Sequence, residues 1–256
     1  MNRIKTAFSK GKAFIPFFTC GDPDLETTEQ LVLAAAEAGA DLIELGIPFA
    51  DPTAEGPVIQ GANMRALAGG VTTDLIFGLV RRLREQTQVP LVFMTYANVV
   101  FSYGTERFLT QAAQAGVDGL ILPDVPFEEK EEFAAPCREH GLVLISMVAP
   151  TSEGRVAQIA REAEGFLYCV SSMGVTGVRS QITTDVGAMV ALAKQANPNV
   201  PCAIGFGIST PEQAAAMGAK ADGVIVGSAI VKLVGQHGRQ AVEPVREFVR
   251  QMKQAL

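Results

Sequence analysis

The sequence is poor in histidine and cysteine. Histidine occurs twice, at His140 and His237, and both positions fall at or beyond expected helix ends with no catalytic partner near them in the sequence. The four cysteines, Cys20, Cys137, Cys169 and Cys202, lie far apart, with no Cys-x-x-Cys or Cys/His ligand spacing. That pattern excludes the familiar zinc modules and reads as reduced thiols in a cytoplasmic protein. Basic runs are also missing, and the net charge of −6 argues against a nucleic-acid partner. No apolar run approaches the ~18 residues needed to cross a bilayer, and the N-terminal stretch does not read as a signal peptide. Lysines are few, and none falls inside an expected strand, which leaves no candidate for a Schiff base.

What is present is a repeated unit: an Ala-rich amphipathic helix, a Gly-x-Asp-like turn and a short apolar strand. Ala38-Gly39-Ala40-Asp41, Ala115-Gly116-Val117-Asp118 and Met217-Gly218-Ala219-Lys220-Ala221-Asp222 each precede such a strand. The glycine is expected to end the helix in a left-handed cap, and the aspartate suits the turn that follows. Eight strands are expected at 13–19, 42–45, 91–95, 119–122, 143–148, 166–170, 202–204 and 223–226. They are rich in Val, Ile, Leu and Phe, as strands covered on both faces are. Helices are expected at 26–38, 73–86, 104–115, 128–140, 152–163, 183–195, 210–217 and 242–256. Thr210-Pro211 places a capping residue before a proline in the first helical turn.

Alternation of this kind gives a parallel sheet with helical crossovers. No linker-like change of composition divides residues 1–256, which points to a single (β/α)8 TIM barrel domain; about 250 residues is the usual size of that fold. An open, doubly wound sheet shares the same period and is the competing architecture.

In a barrel the chemistry sits at the C-terminal ends of the strands. There the second strand carries an acid inside an apolar run, Glu44, which is costly to bury. The loop after it holds Asp51 and Glu55, and Pro48, Pro52 and Pro57 exclude regular structure across 48–57. Other strand ends present Thr19, Asp22, Tyr96, Asn98 and Asp124. Gly205-Phe-Gly207-Ile-Ser209 and Gly227-Ser228 follow the last two strands, beside Gly174-Val-Thr-Gly177. Small-residue turns that lead into helix starts at this end of a barrel bind phosphate through backbone N–H groups.

Taken together and in this order, these segments resemble the tryptophan synthase alpha subunit along nearly the whole chain. The match runs through Pro16-Phe17, Gly21-Asp22-Pro23, Glu44-Leu-Gly-Ile-Pro-Phe, Asp51-Pro52, Gly56-Pro57, Tyr96-Ala-Asn98, Asp124-Val-Pro126, Gly174-Val-Thr-Gly177, Gly205-Phe-Gly207 and Gly227-Ser228. The resemblance implies a β/α barrel lyase of tryptophan biosynthesis that cleaves indole-3-glycerol phosphate to indole and glyceraldehyde 3-phosphate. It implies an allosteric α2β2 heterotetramer with a beta subunit, which alone carries a cofactor, pyridoxal phosphate. Under it Glu44 is the general acid/base, and Phe17, Met94, Ile121, Tyr168 and Phe206 line the indole pocket. Thr176 steers the mobile loop, Gly177, Gly207, Gly227 and Ser228 hold the phosphate, and Asp51 and Asp124 serve loop closure and the partner.

Two positions depart from the pattern. Residue 55 is Glu where Asp is expected at the indole N–H, and Ser172 stands where an arginine is expected, with Arg179 nearby as a substitute. Two readings follow from Glu55: a loop adjusted so that Glu does the work of Asp, or an alpha-type subunit impaired in cleavage that acts mainly as an allosteric partner.

Overall fold

The computed structural model describes residues 3–150, 153–170, 186–205 and 207–256. Its strands are β1 (Ala13–Thr19), β2 (Ile43–Gly46), β3 (Leu91–Met94), β4 (Gly119–Ile121), β5 (Val143–Leu144), β6 (Ser146–Val148), β7 (Leu167–Val170), β8 (Cys202–Gly205) and β9 (Gly223–Val226). All pair in parallel, in the order β5-β4-β3-β2-β1-β9-β8-β7-β6. β1 therefore lies between β2 and the last strand, as ring closure requires.

The ends of that order, β5 and β6, are separated only by Ile145 and are two halves of the expected fifth strand. The first half pairs with β4 (Gly119↔Val143), the second with β7 (Ser146↔Leu167). Ile145 N–H still donates to Leu120 O at 2.8 Å. The ring thus runs through a kinked fifth strand, and the fold is a TIM barrel rather than an open sheet.

Successive side chains on a strand point to opposite faces. Ala13, Ile15 and Phe17 of β1 join Val92, Met94, Tyr168 and Ile225 in a core inside the barrel. Phe14 and Phe18 join Ile43, Leu45, Phe93 and Ile204 in a second core under the helices. Glu44 lies one residue from Ile43 and two from Leu42, which belongs to the inner core, so the pleat sends the carboxylate inward. Its cross-strand neighbours are Phe17 and Val92.

The repeat turns form the opposite end of the barrel. Each aspartate accepts a hydrogen bond from the backbone at the start of the neighbouring strand: Phe14 N–H to Asp41 at 2.7 Å, Leu91 N–H to Asp118 at 2.9 Å and Cys202 N–H to Asp222 at 2.8 Å. Each also meets a cation, Lys253, Arg84 and Lys194 respectively. Gly39 (φ 108°) and Gly116 (φ 95°) have the left-handed geometry expected of them. Gly218 does not: it ends the helix Pro211–Gly218, and Ala219 caps that helix in a right-handed conformation.

Three helices were not anticipated, Arg3–Ala7, Pro57–Ala68 and Ala97–Tyr103, and a fourth, Ser228–His237, grows from the helix start expected at Gly227-Ser228. Pro57 does not prevent the second of these; it opens it, because a proline in the first helical turn costs no hydrogen bond. Among the described residues no helix is long and apolar enough to cross a membrane.

Candidate active site

Glu44 reaches the barrel interior near the C-terminal end of β2, where it is only 1% exposed. Neither of its oxygens has a hydrogen-bond partner among the described residues. Burial disfavours the charged form and pushes its pKa up to about 8. At neutral pH it is a carboxylic acid that holds a proton.

Glu55 comes from the loop after β2 and is also buried. Its position is fixed by three neighbours. Gln60 Nε2 donates to the Glu55 carbonyl at 2.7 Å, Ala54 N–H donates to the Tyr96 hydroxyl at 3.1 Å, and Asn63 Nδ2 donates to Glu55 Oε2 at 2.6 Å. Burial raises the Glu55 pKa to about 7, and the Asn63 amide opposes that rise by favouring the carboxylate.

One cavity joins the two carboxyls. Phe17, Ile59, Met94, Tyr168, Ile208 and Ile225 supply apolar wall, and Gly207, Gly227 and Ser228 supply polar backbone. Ser228 begins the helix Ser228–His237, whose N-cap Gly227 provides no side-chain capping bond. A helix start of this kind favours an anion. The site therefore combines two carboxyls of raised pKa, a largely apolar chamber and a helix N-terminus.

Two glycines make room for the rings. A Cβ on Gly46 would lie 2.5 Å from the Phe17 ring, and one on Gly205 would lie 2.5 Å from the Tyr168 hydroxyl. Gly205→Ala is expected to displace Tyr168 and cost about 1–3 kcal/mol, the usual range for an overpacked core. Urea unfolding measures it; a loss under about 0.5 kcal/mol would mean the ring has space to spare.

Of the residues anticipated from sequence, the cavity gathers Phe17, Glu44, Glu55, Met94, Tyr168, Gly207, Gly227 and Ser228. Ile121 is buried in the inner core but is not among the described residues lining the cavity. Asp124 is exposed and accepts the Ala97 N–H on both oxygens at 3.1 Å, anchoring the start of the helix Ala97–Tyr103. Asp51 is exposed on the loop. Ser172, Thr176, Gly177, Arg179 and Phe206 lie outside the described residues. His140 serves structure: its ring nitrogens lie 2.9 Å from Pro136 O and 3.1 Å from Thr110 Oγ1. Ile59, Asn63 and Ile208 were missed; Ile59 and Asn63 are legible only once the helix from Pro57 is known.

Residues 4–256 match the family model described as tryptophan synthase alpha chain. The chain belongs to the tryptophan synthase alpha chain family. It is 48% identical over 256 residues to a tryptophan synthase alpha chain of Lacticaseibacillus casei, covering 100% of this chain and 96% of that protein. The crystal structure of the tryptophan synthase alpha chain of Legionella pneumophila superposes with a TM-score of 0.89 at 37% identity, over 100% of this chain and 97% of that one. A chain of the tryptophan synthase complex of Pyrococcus furiosus gives 0.88 at 35% identity, over 96% and 99%. The barrel is thus an alpha-chain barrel in sequence and in shape, and tryptophan biosynthesis is its setting.

Proposed function

We propose that this chain cleaves indole-3-glycerol phosphate to indole and glyceraldehyde 3-phosphate by a retro-aldol reaction, as a carbon–carbon lyase. The observation that carries the reading is the meeting of Glu44 and Glu55, both buried, in a mainly apolar cavity that ends at the Ser228 helix start. Indole leaves poorly as a carbanion. Protonated Glu44 gives its proton to C3 of the indole ring, while ionised Glu55 assists at the ring N–H as positive charge develops there. The Glu44 carboxylate then takes the proton of the glycerol hydroxyl next to the ring. The carbon–carbon bond breaks, its electron pair returns to the indole, and the hydroxyl carbon becomes the aldehyde. The proton balance closes on Glu44 alone.

Phe17, Met94 and Tyr168 hold the indole in this scheme, with Ile121 backing Met94 from the neighbouring strand and Phe206 and Thr176 completing the pocket. Gly177, Gly207, Gly227 and Ser228 hold the phosphate. Such a reaction needs no cofactor on this chain. Its partner is a beta subunit carrying pyridoxal phosphate, in an α2β2 assembly like that of the Pyrococcus furiosus tryptophan synthase, and Asp51 and Asp124 are the loop residues assigned to loop closure and that contact. The exposed Phe101 on the helix Ala97–Tyr103 fits such a contact surface. The setting is cytoplasmic, with neither membrane nor nucleic acid involved.

The test is indole release by the purified chain with a competent beta subunit. Absence of cleavage there, with stimulation of the beta reaction intact, favours the second reading: a partner subunit disabled by the extra methylene of Glu55. The two carboxyls also set a pH profile. kcat/KM is expected to rise with pH as Glu55 ionises at about 7 and to fall as Glu44 loses its proton at about 8. A rate that stays flat from about one unit below the lower value to about one unit above the higher would remove the carboxyl pair from the mechanism.

A further inference from the structure

A glutamate is a less certain instrument than an aspartate. It has one more rotatable bond, and a carboxylate misplaced by about 1 Å can cost on the order of 10²-fold in rate. The structure fixes the Glu55 backbone through Gln60 and, one residue earlier, through Tyr96. Its carboxylate is fixed by Asn63 alone among the hydrogen bonds of the described residues.

Asn63 is well placed to do this. It lies on the helix Pro57–Ala68, on the face that buries Ile59, Ala62 and Ala66, and is itself 3% exposed. A helix packed on the barrel is more rigid than the loop that carries Glu55. The 2.6 Å contact is a charge-assisted bond when Glu55 is ionised, and it occupies Oε2 only.

We infer that Asn63 is a positioning residue for the reaction: it clamps one oxygen of Glu55 from a rigid helix and presents the other to the substrate cavity. The inference rests on the role proposed for Glu55. It assigns a cause to the departure at position 55, since the longer acid is usable because a donor on the following helix holds its end. The same donor favours the charged form in a site whose burial opposes charge. The other titratable groups bordering Glu55 among the described residues are Glu44 on β2, Tyr96 after β3 and Tyr168 on β7. None of them offers a cation, which leaves the amide as the group that favours the charged form of Glu55.

The test uses the whole chain with its beta partner. Asn63→Ala is expected to lower kcat about tenfold with KM little changed. The rising limb of the pH profile should move up by roughly one unit, and a carbon-13 titration of the Glu55 carboxyl should move with it. In a Glu55→Asp background, whatever the rate of that variant, Asn63→Ala should lower kcat no further, because the shorter acid does not reach the amide. Asn63→Gln in that background moves the missing methylene to the other partner and should restore the bond and lower the pKa of the shortened acid.

An equal loss of activity from Asn63→Ala in both backgrounds, with no change in either titration, would show a merely structural asparagine and overturn the inference. The carbon-13 titration does not depend on turnover. A parent chain that fails to cleave, yet shows the Glu55 shift on Asn63→Ala, rejects the proposed reaction while leaving the clamp in place. If Asn63→Ala does not fold, Asn63→Ser, which keeps a shorter donor, should show smaller shifts in the same direction, and unchanged values again overturn the inference.

Discussion

Glu44→Gln is expected to lower kcat for indole release by roughly 10³-fold and, at the same time, to raise the melting temperature at pH 8. Proton transfer by a placed side chain contributes on the order of 10²–10⁴-fold, and glutamine keeps the shape of the acid while removing the proton it donates. The gain in stability follows from the buried site. Glu44 keeps its proton to about 8 in the folded chain, whereas the ordinary value is 4.5. Between those pH values ionisation stabilises only the unfolded chain. The contribution of this carboxyl to stability is therefore complete below about 4.5 and is lost as pH rises through about 8. Glutamine has no such dependence, so the variant should match the parent at pH 4 and exceed it at pH 8. Near-normal turnover would remove Glu44 from the acid role. A variant no more stable than the parent at pH 8 would show that the acid is not held neutral. The two results together express a common trade, in which a catalytic group is kept where it weakens the fold.

The second large effect lies at the other end of the barrel. Asp118 accepts from Arg84 Nη2 at 2.6 Å, from Arg3 Nη1 at 2.9 Å and from the Leu91 N–H at 2.9 Å. The Arg84 side chain is only 10% exposed. Burial pulls its pKa down to about 10 against the opposing pull of Asp118. Asp118→Ala leaves a buried guanidinium with only carbonyl partners and strands the first N–H of β3. Breaking a buried pair from one side costs about 3–5 kcal/mol. For a chain of this size that is a fall of roughly 6–20 °C in melting temperature. Indole release by the protein that remains folded at 25 °C should be unchanged. A loss below about 1 kcal/mol would place Asp118 with ordinary surface ion pairs.

Much of the barrel was legible because its signals are local. A Gly-x-Asp turn after an amphipathic helix needs no tertiary context to be read, and the short apolar strands between such turns follow from it. The misses have tertiary causes. The helix start at Ser228 was legible but its run to His237 was not: Ile230, Val231 and Val234 favour strand, yet all three are buried against the barrel, and burial overrides that preference. Nothing in 143–148 announces the break at Ile145.

The site divides in the same way. Glu44 is visible as an acid in an apolar run, and Gly227-Ser228 as a small-residue turn. The burial of Glu55 and its bond to Asn63 exist only because the helix from Pro57 folds back over the loop. The need for glycine at 46 and 205 likewise depends on rings from other strands, Phe17 and Tyr168, and sequence spacing carries no trace of it.

The placing of the first strand has a consequence for synthesis on the ribosome. β1 pairs with β9, and Lys253, near the end of the chain, bonds to Lys12 O and Asp41 at 2.8 and 2.7 Å. One edge of β1 has no partner until β9 has been made. The nascent chain carries that open edge until residues 223–226 have emerged, which makes this edge the point where a chaperone or a neighbouring nascent chain would most readily engage it.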